Sequence, residues 1–369
     1  MKRAAAAAIS LMTGLAMLTG CSRAEVEETI QPLVADAIEE SDSEAEAVKE
    51  EDESPLIPEI DTDIKIHAGS RIAVVSKCVK GEYWKMVKKG MEDAVKEINK
   101  AYGYKKDDQI TMTFEGPDNE EDVETQINTI DAVIAENPDV LCISASDMDS
   151  CEAQLEAAKE NGIPVIAFDS NVAEKKLVKA YRGTDNVQVG KMAAYQLGSA
   201  LGKMGKVAVF SAQQKTKSIQ DRVEGFMNNI GKYGDIEVVE TIYSDQVDDM
   251  EASMKEVLEK YPTLDGVFCT NAEITEMYLN LEKSDEHDAP ALVGVDATTK
   301  QQEAIRNGEE IGCVSQQPYA MGYQTIWAAV ETTAPKKSVV IEKNVLSNPA
   351  WIDADCLDDP DYSGYLYTG

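Results

Sequence analysis

Apolar, β-branched runs of six to nine residues recur along most of the chain, and amphipathic stretches separate many of them. The runs read RIAVVS, QITMTF, VLCISA, IPVIAFD, KAYRGTD, KVAVFSA, IEVVETIYS, GVFCTN, ALVGVDA, IGCVSQ and SVVIEKNV, from Arg71 to Val345. Continuous apolar character, rather than strict alternation, suits strands covered on both faces. Between them, apolar residues return every three or four positions. Over Tyr83–Tyr102, Val87, Met91, Ala94, Val95 and Ile98 fall on one stripe, and Asn119–Asn137 and Asp248–Tyr261 repeat the pattern. Strand–helix alternation predicts an α/β, doubly wound fold with parallel sheets. Eleven strands are many for one open sheet, so two lobes of similar build are expected.

In such sheets ligands bind outside the carboxyl ends of the strands. The residues there are polar almost without exception: Ser76; Ser144, Ser146 and Asp147; Asp169; Thr184, Asp185 and Asn186; Ser211–Gln214; Asp245 and Gln246; Asn271 and Glu273; Asp296; Gln316 and Gln317. Polar loop residues also cap helices, and Asp147, Asp185 and Ser218 suit that role. Tyr83 and Trp84 are unusual in opening a helix where polar caps are the rule.

The chain ends add a location. Lys2 and Arg3, an apolar segment and Leu18–Cys21 (LTGC) read as a secretory signal over residues 1–20. The LTGC tetrapeptide resembles the lipobox of bacterial lipoproteins. That implies cleavage before Cys21, a lipid on its thiol and an extracytoplasmic protein on the cell membrane; the alternative is an ordinary secretory signal with an incidental Cys. From Ser22 to Asp63, sixteen Asp and Glu stand against Arg23 and Lys49, so residues 21–63 are expected to be a solvated, disordered tether.

The formal net charge of −33 argues against nucleic acid and anionic lipid surfaces as partners. Six further Cys are scattered without a CxxC pair, which favours buried thiols over a disulfide framework or zinc. Only two His are present, His67 and His287, and no nucleophile elbow, GxGxxG or Walker loop occurs. An enzyme is therefore not expected, nor any cofactor or metal; the acidic cluster Asp285–Asp288 reads as a solvated turn.

Taken in order, several segments resemble the type I periplasmic sugar-binding proteins of the ribose- and galactose-binding kind. They are RIAVVSKCVKGEYWKMVKKGMEDAVKE, VLCISASDMDSCEAQLEAAKENGIPVIAFDS, RGTDNVQVGKMAAYQL, DRVEGF, GVFCTNAEITEMYL, LVGVDATTKQQEAIRNG and GCVSQQPYAMGYQTI, spread between Ser70 and Ser347. The resemblance implies two lobes joined by three crossings around a sugar cleft. Lobe one would hold 64–169 and 317–345, and lobe two 170–316 and 346–369.

It also implies roles for residues. Tyr83 and Trp84 match aromatics that lie against the apolar face of a sugar ring. Asp147 matches a hydroxyl-binding Asp after the third strand, Asn271 the Asn of a QND-like motif, Asp296 the Asp ending a VGFD-like strand, and Gln316 a polar residue at a crossing. Ser76 belongs to the first loop. Gln220 stands where ribose binders carry Arg, with Arg222 nearby, and Gln246 or Val247 where another aromatic usually stacks. The implied function is a monomeric, lipid-anchored receptor that delivers a sugar or polyol to an ABC permease. The alternative is a receptor presenting its ligand to a membrane sensor kinase or chemoreceptor. A sugar-responsive transcription regulator shares the fold, but the lipobox and the lack of a basic DNA-binding head argue against it.

Overall fold

The computed structural model describes residues 57–281, 289–335 and 338–368. The signal segment, Cys21, the tether up to Leu56 and the Asp285–Asp288 turn lie outside the described residues.

Two six-stranded sheets carry the fold. The first is built from β1 (Arg71–Val75), β2 (Thr111–Glu115), β3 (Val140–Ile143), β4 (Val165–Phe168), β5 (Ala180–Thr184) and β11 (Asn344–Ser347), in spatial order β11-β5-β4-β3-β1-β2. The second takes β6 (Met204–Ser211), β7 (Asp235–Tyr243), β8 (Gly266–Cys269), β9 (Ala291–Val295), β10 (Gly312–Ser315) and β12 (Ala350–Ile352), in order β12-β10-β9-β8-β6-β7. Among the described residues every pairing is parallel except that of β10 with β12.

Two buried faces explain the apolar strands. Ile72 and Val74 of β1 enter one core cluster and Ala73 and Val75 enter another, as the two-residue side-chain period requires. β6 divides in the same way, Ala208 and Phe210 to one side, Val207 and Val209 to the other.

The helices are α1 (Gly81–Ala101), α2 (Val123–Ala135), α3 (Glu152–Glu160), α4 (Asn186–Ala200), α5 (Lys217–Ile230), α6 (Met250–Lys260), α7 (Ala272–Leu279), α8 (Thr299–Asn307) and α9 (Pro318–Glu331). The predicted α1 stripe is inside: Val87, Met91, Ala94 and Ile98 are buried and Val95 packs at the edge. α1 packs on α9 because glycines let their backbones touch. A Cβ on Gly90 would sit 2.0 Å from the Tyr319 carbonyl oxygen, and one on Gly322 would sit 2.2 Å from that of Val87. Gly90→Ala is therefore expected to lower stability by about 1–3 kcal/mol, the usual cost of overpacking. A urea midpoint equal to that of the parent would refute this account of the contact.

Three crossings join the lobes. The first follows β5, where Asp185 accepts the Gln188 amide at 3.0 Å and starts α4 against the second sheet. The second leads from β10 into α9, which returns to the first sheet, and the third separates β11 from β12. The two-lobe, doubly wound expectation is borne out, with local corrections.

β5 pairs with β4 and β11, so the first lobe runs to Thr184 rather than to residue 169, and it keeps β11 through Ser347 rather than ending at 345. The last strand of that lobe begins at Asn344, not Ser338: Val340 is 94% exposed, and only 344–347 lie in register with Tyr181–Thr184. The packed body also begins earlier than residue 64. Ile60 rests on the first core, and the Tyr102 hydroxyl donates to the Asp61 and Ile64 carbonyls.

Candidate functional site: the interlobe cleft

The carboxyl ends of the two sheets meet. Gln213 Nε2, after β6, donates to the Glu120 carbonyl beyond β2 at 2.7 Å. Thr216 Oγ1 donates to the Ser146 carbonyl at 2.6 Å, and the Thr299 amide at the start of α8 donates to Glu82 of α1 at 2.7 Å. Between these bridges lies a cavity of about 330 Å³. Both sheets reverse their winding at this point, after β1 in one and after β6 in the other.

The first turn of α1 supplies an aromatic wall. Tyr83 and Trp84 both line the cavity, their rings 5.1 Å apart and edge to face. Each polar tip is held by a carboxylate: the Tyr83 hydroxyl donates to Asp169 Oδ1 at 2.6 Å and Trp84 Nε1 to Glu120 Oε1 at 2.7 Å. These bonds fix the rings while their faces serve the cleft and the core of lobe one.

Two aspartates occupy equivalent positions in the fold's internal symmetry. Asp169 follows β4 and Asp296 follows β9, the third strand of each sheet in spatial order. Both take left-handed backbone, with φ of 55° and 80°, which non-glycine residues adopt at a cost and Asp and Asn more readily than most. Asp169 accepts from Tyr83, from Ser144 Oγ at 2.8 Å and from Lys77 Nζ at 3.0 Å. Asp296 accepts from Gln316 Nε2 at 2.7 Å, the Tyr367 hydroxyl at 2.9 Å and the Ala272 amide at 3.0 Å. A carboxylate offers about four acceptor positions, so each retains about one.

Lys77 is buried between Asp169 and Glu120, the latter at 3.6 Å. Burial alone would lower its pKa; the two carboxylates outweigh that and hold it above its ordinary value. Burial likewise works against the charge on Asp169, but Lys77, Tyr83 and Ser144 hold its carboxyl below the ordinary range. The pair is thus an ion pair in the folded protein. Glu273, on the cleft side of α7, is pushed up to about 7 by desolvation and then by Glu120, Glu121 and Glu276.

Arg222 completes the floor, donating from Nε to Asn186 Oδ1 and from Nη1 to the Thr270 carbonyl, each at 2.8 Å. Asn271 caps α7, accepting the Ile274 amide at 3.1 Å, and its side chain borders the cavity.

Of the residues singled out from the sequence, Tyr83, Trp84, Asn271, Asp296 and Gln316 come together around this cavity. Four do not. Ser76 is fully buried, its hydroxyl closing the first loop onto the Cys78 and Glu115 carbonyls. Asp147 turns away to accept the Asp149 and Ser150 amides, and the Asp at the end of the next strand, Asp169, stands in the cleft instead.

Gln220 borders a separate groove with Met148 and Lys215; on α5 it is Ile219 and Arg222, three residues apart, that share the cleft face. Gln246 lies past the edge strand β7 and donates to Gln214 on the surface. Lys77, Glu120 and Arg222 join the site from outside the expected set. The signal for Asp169 was the repetition of an Asp after a four-residue buried apolar stretch, VIAF and LVGV; nothing in the sequence marked Lys77 as buried. Among the described residues no group of three or more His, Cys, Asp or Glu is arranged to hold a metal ion.

Two α/β lobes with a solute-sized cleft between their strand ends define a bilobed binding protein. The chain belongs to the periplasmic binding protein domain family, which it matches over residues 72–337. It is 26% identical over 220 residues to the ribose import binding protein of Bacillus subtilis, covering 60% of this chain and 71% of that one. It is 24% identical over 211 residues to a xylitol-binding protein of Mycolicibacterium smegmatis, spanning 57% of this chain and 60% of that one. An ABC transporter solute-binding protein from Agrobacterium vitis, solved with bound D-fucose, superposes with a TM-score of 0.72 at 26% identity, covering 80% of this chain and all of that one. Among the described residues no helix is long and apolar enough to cross a membrane.

Proposed function

We propose that this protein is an extracytoplasmic solute receptor that closes on a neutral sugar or polyol and hands it to an ABC permease. The observation that carries the reading is the interlobe cavity itself, with an aromatic wall on one side and Asp169 and Asp296 presented from opposite lobes. A ring sugar offers C–H groups on a face and hydroxyls around its rim, which is what flat rings and acceptor carboxylates recognise. The volume of about 330 Å³ is near the lower end of ligand pockets, which run from ~300 to ~1,000 Å³, and suits a monosaccharide-sized solute.

Charge narrows the class. Seven carboxylates border the cavity against Lys77, Lys80 and Arg222, so sugar phosphates and sugar acids are disfavoured. Hinge closure of the two lobes is the expected mechanism. The LTGC tetrapeptide and the acidic stretch after it support a lipid anchor at Cys21 on a solvated spacer.

The test is a thermal-shift screen of the purified chain against pentoses, hexoses and pentitols, with a sugar phosphate as the negative arm. A ligand at about 100 times its dissociation constant adds about 2.7 kcal/mol of stability. A shift with one neutral sugar or polyol supports the reading, and a shift with the phosphate alone overturns it.

A further inference from the structure

The chain continues past β12, and its last described residues return to the junction of the two lobes. Leu357 is buried with Ile352, Cys313 and Ile305 of lobe two. Arg306 pairs with Asp358 at 3.0 Å, and Ser315 Oγ donates to the Tyr365 carbonyl at 2.5 Å. The Tyr367 amide donates to the Ala297 carbonyl at 3.0 Å, and Gln302 Nε2 donates to the Tyr367 carbonyl at 2.9 Å. The backbone of this segment is therefore fastened to lobe two almost to its end.

The Tyr367 side chain leaves that lobe. It is 1% exposed and belongs to the apolar cluster of lobe one, with Trp84, Phe168 and Met321. Its ring centroid lies 5.9 Å from that of Tyr83. Its hydroxyl returns to lobe two and donates to Asp296 Oδ1 at 2.9 Å. A single side chain thus touches the aromatic wall of one lobe and the carboxylate of the other without itself bordering the cavity.

We propose that the C-terminal segment is a strap across the cleft and that Tyr367 is a positioning residue of the ligand site. Its hydroxyl, with Gln316 Nε2 and the Ala272 amide, fixes the plane of the Asp296 carboxylate and so directs the remaining acceptor position. Its ring braces Tyr83 when the lobes are together. Parting the lobes pulls the ring from its socket or the hydroxyl from Asp296, so closure and carboxylate orientation are coupled through one residue. Phe would supply only the brace. The segment lies beyond the stretch that matches the family model, residues 72–337.

The ligand arm of the test rests on the sugar-binding reading; a second arm does not. The full chain, Tyr367→Phe and Tyr367→Ala are titrated calorimetrically with D-ribose, D-fucose and xylitol, and hydrogen exchange is followed at the Ala272 and Thr299 amides. These report, respectively, the Asp296 carboxylate and the Glu82 bridge between lobes.

Tyr367→Phe is expected to melt close to the parent, to bind the responsive probe several-fold more weakly because the Asp296 carboxylate loses part of its fixed orientation, and to exchange faster at Ala272. Tyr367→Ala is expected, in addition, to exchange faster at Thr299. Parental affinity and parental Ala272 exchange in Tyr367→Phe would overturn the proposal. So would faster exchange spread evenly through lobe two, which would make the residue simple packing. If none of the three probes binds the parent chain, the sugar reading loses its support, and the exchange arm still decides the strap.

Discussion

Asp296→Asn is expected to weaken solute binding by roughly 10–100-fold in a protein that still folds. Three of the carboxylate's acceptor positions are taken by Gln316, Tyr367 and the Ala272 amide, which leaves about one for a ligand hydroxyl. A charge-assisted hydrogen bond contributes about 1.5–3 kcal/mol, and that range sets the expected factor. Asn is the informative substitution because it tolerates the left-handed φ of 80° at this position, whereas Ala would add backbone strain to the lost contact. Asp169→Asn is a poorer probe, since the Asp169 charge also balances buried Lys77. Calorimetric titration with the solute found in the screen, alongside a melting curve, makes the measurement. Parental affinity in a folded Asp296→Asn protein would remove Asp296 from the site.

Much of the architecture is legible in the chain, and the failures have physical causes. Apolar runs report burial, and burial located both sheets. They do not report which neighbour a strand pairs with, so the chain alone places β5 in the wrong lobe, and only its register with β4 and β11 corrects this. Strand-end position identified Asn271, Asp296 and Gln316, because a parallel sheet leads its loops to one end.

It could not choose between Asp147 and Asp169: both end strands, and only backbone geometry turns one inward. Gln220 and Arg222 differ by two positions on a helix, enough to place them on different faces. Lys77 reads in sequence like any solvated loop lysine, since its burial depends on Asp169 and Glu120 from distant segments. Tyr367 meets Asp296 across 71 residues of chain, a contact that no local pattern encodes.

Glu310 carries the other large expected effect, on stability rather than binding. It is 1% exposed in lobe two, between α8 and β10. Gln301 Nε2 lies 3.3 Å from Oε1, while Oε2 is buried without a hydrogen-bond partner. Desolvation, with a smaller contribution from Glu276, pushes its pKa up to about 8 against the relief given by Gln301 and the Gly294 backbone.

The proton count sets the sign. Between the ordinary carboxylate value of 4.5 and about 8 the folded protein holds a proton that the unfolded chain has released. Stability therefore falls as pH rises through that window, by at most ~1.4 kcal/mol per unit, and levels off above it. The accumulated loss is on the order of a few kcal/mol, a large share of a typical folding free energy.

Glu310→Gln fixes the neutral form. It is expected to match the parent near pH 4.5 and to exceed it by a few kcal/mol at about pH 8.5, read as diverging urea midpoints. A difference that stays constant across that range would show that Glu310 is charged in the folded protein at all these pH values, and the account of its burial would fail. Gly294 of β9, two residues before Asp296, lies against the Glu310 carboxyl. The Gly294 backbone favours the charged form, so the cost of the alkaline charge comes from its burial and not from its contact with β9.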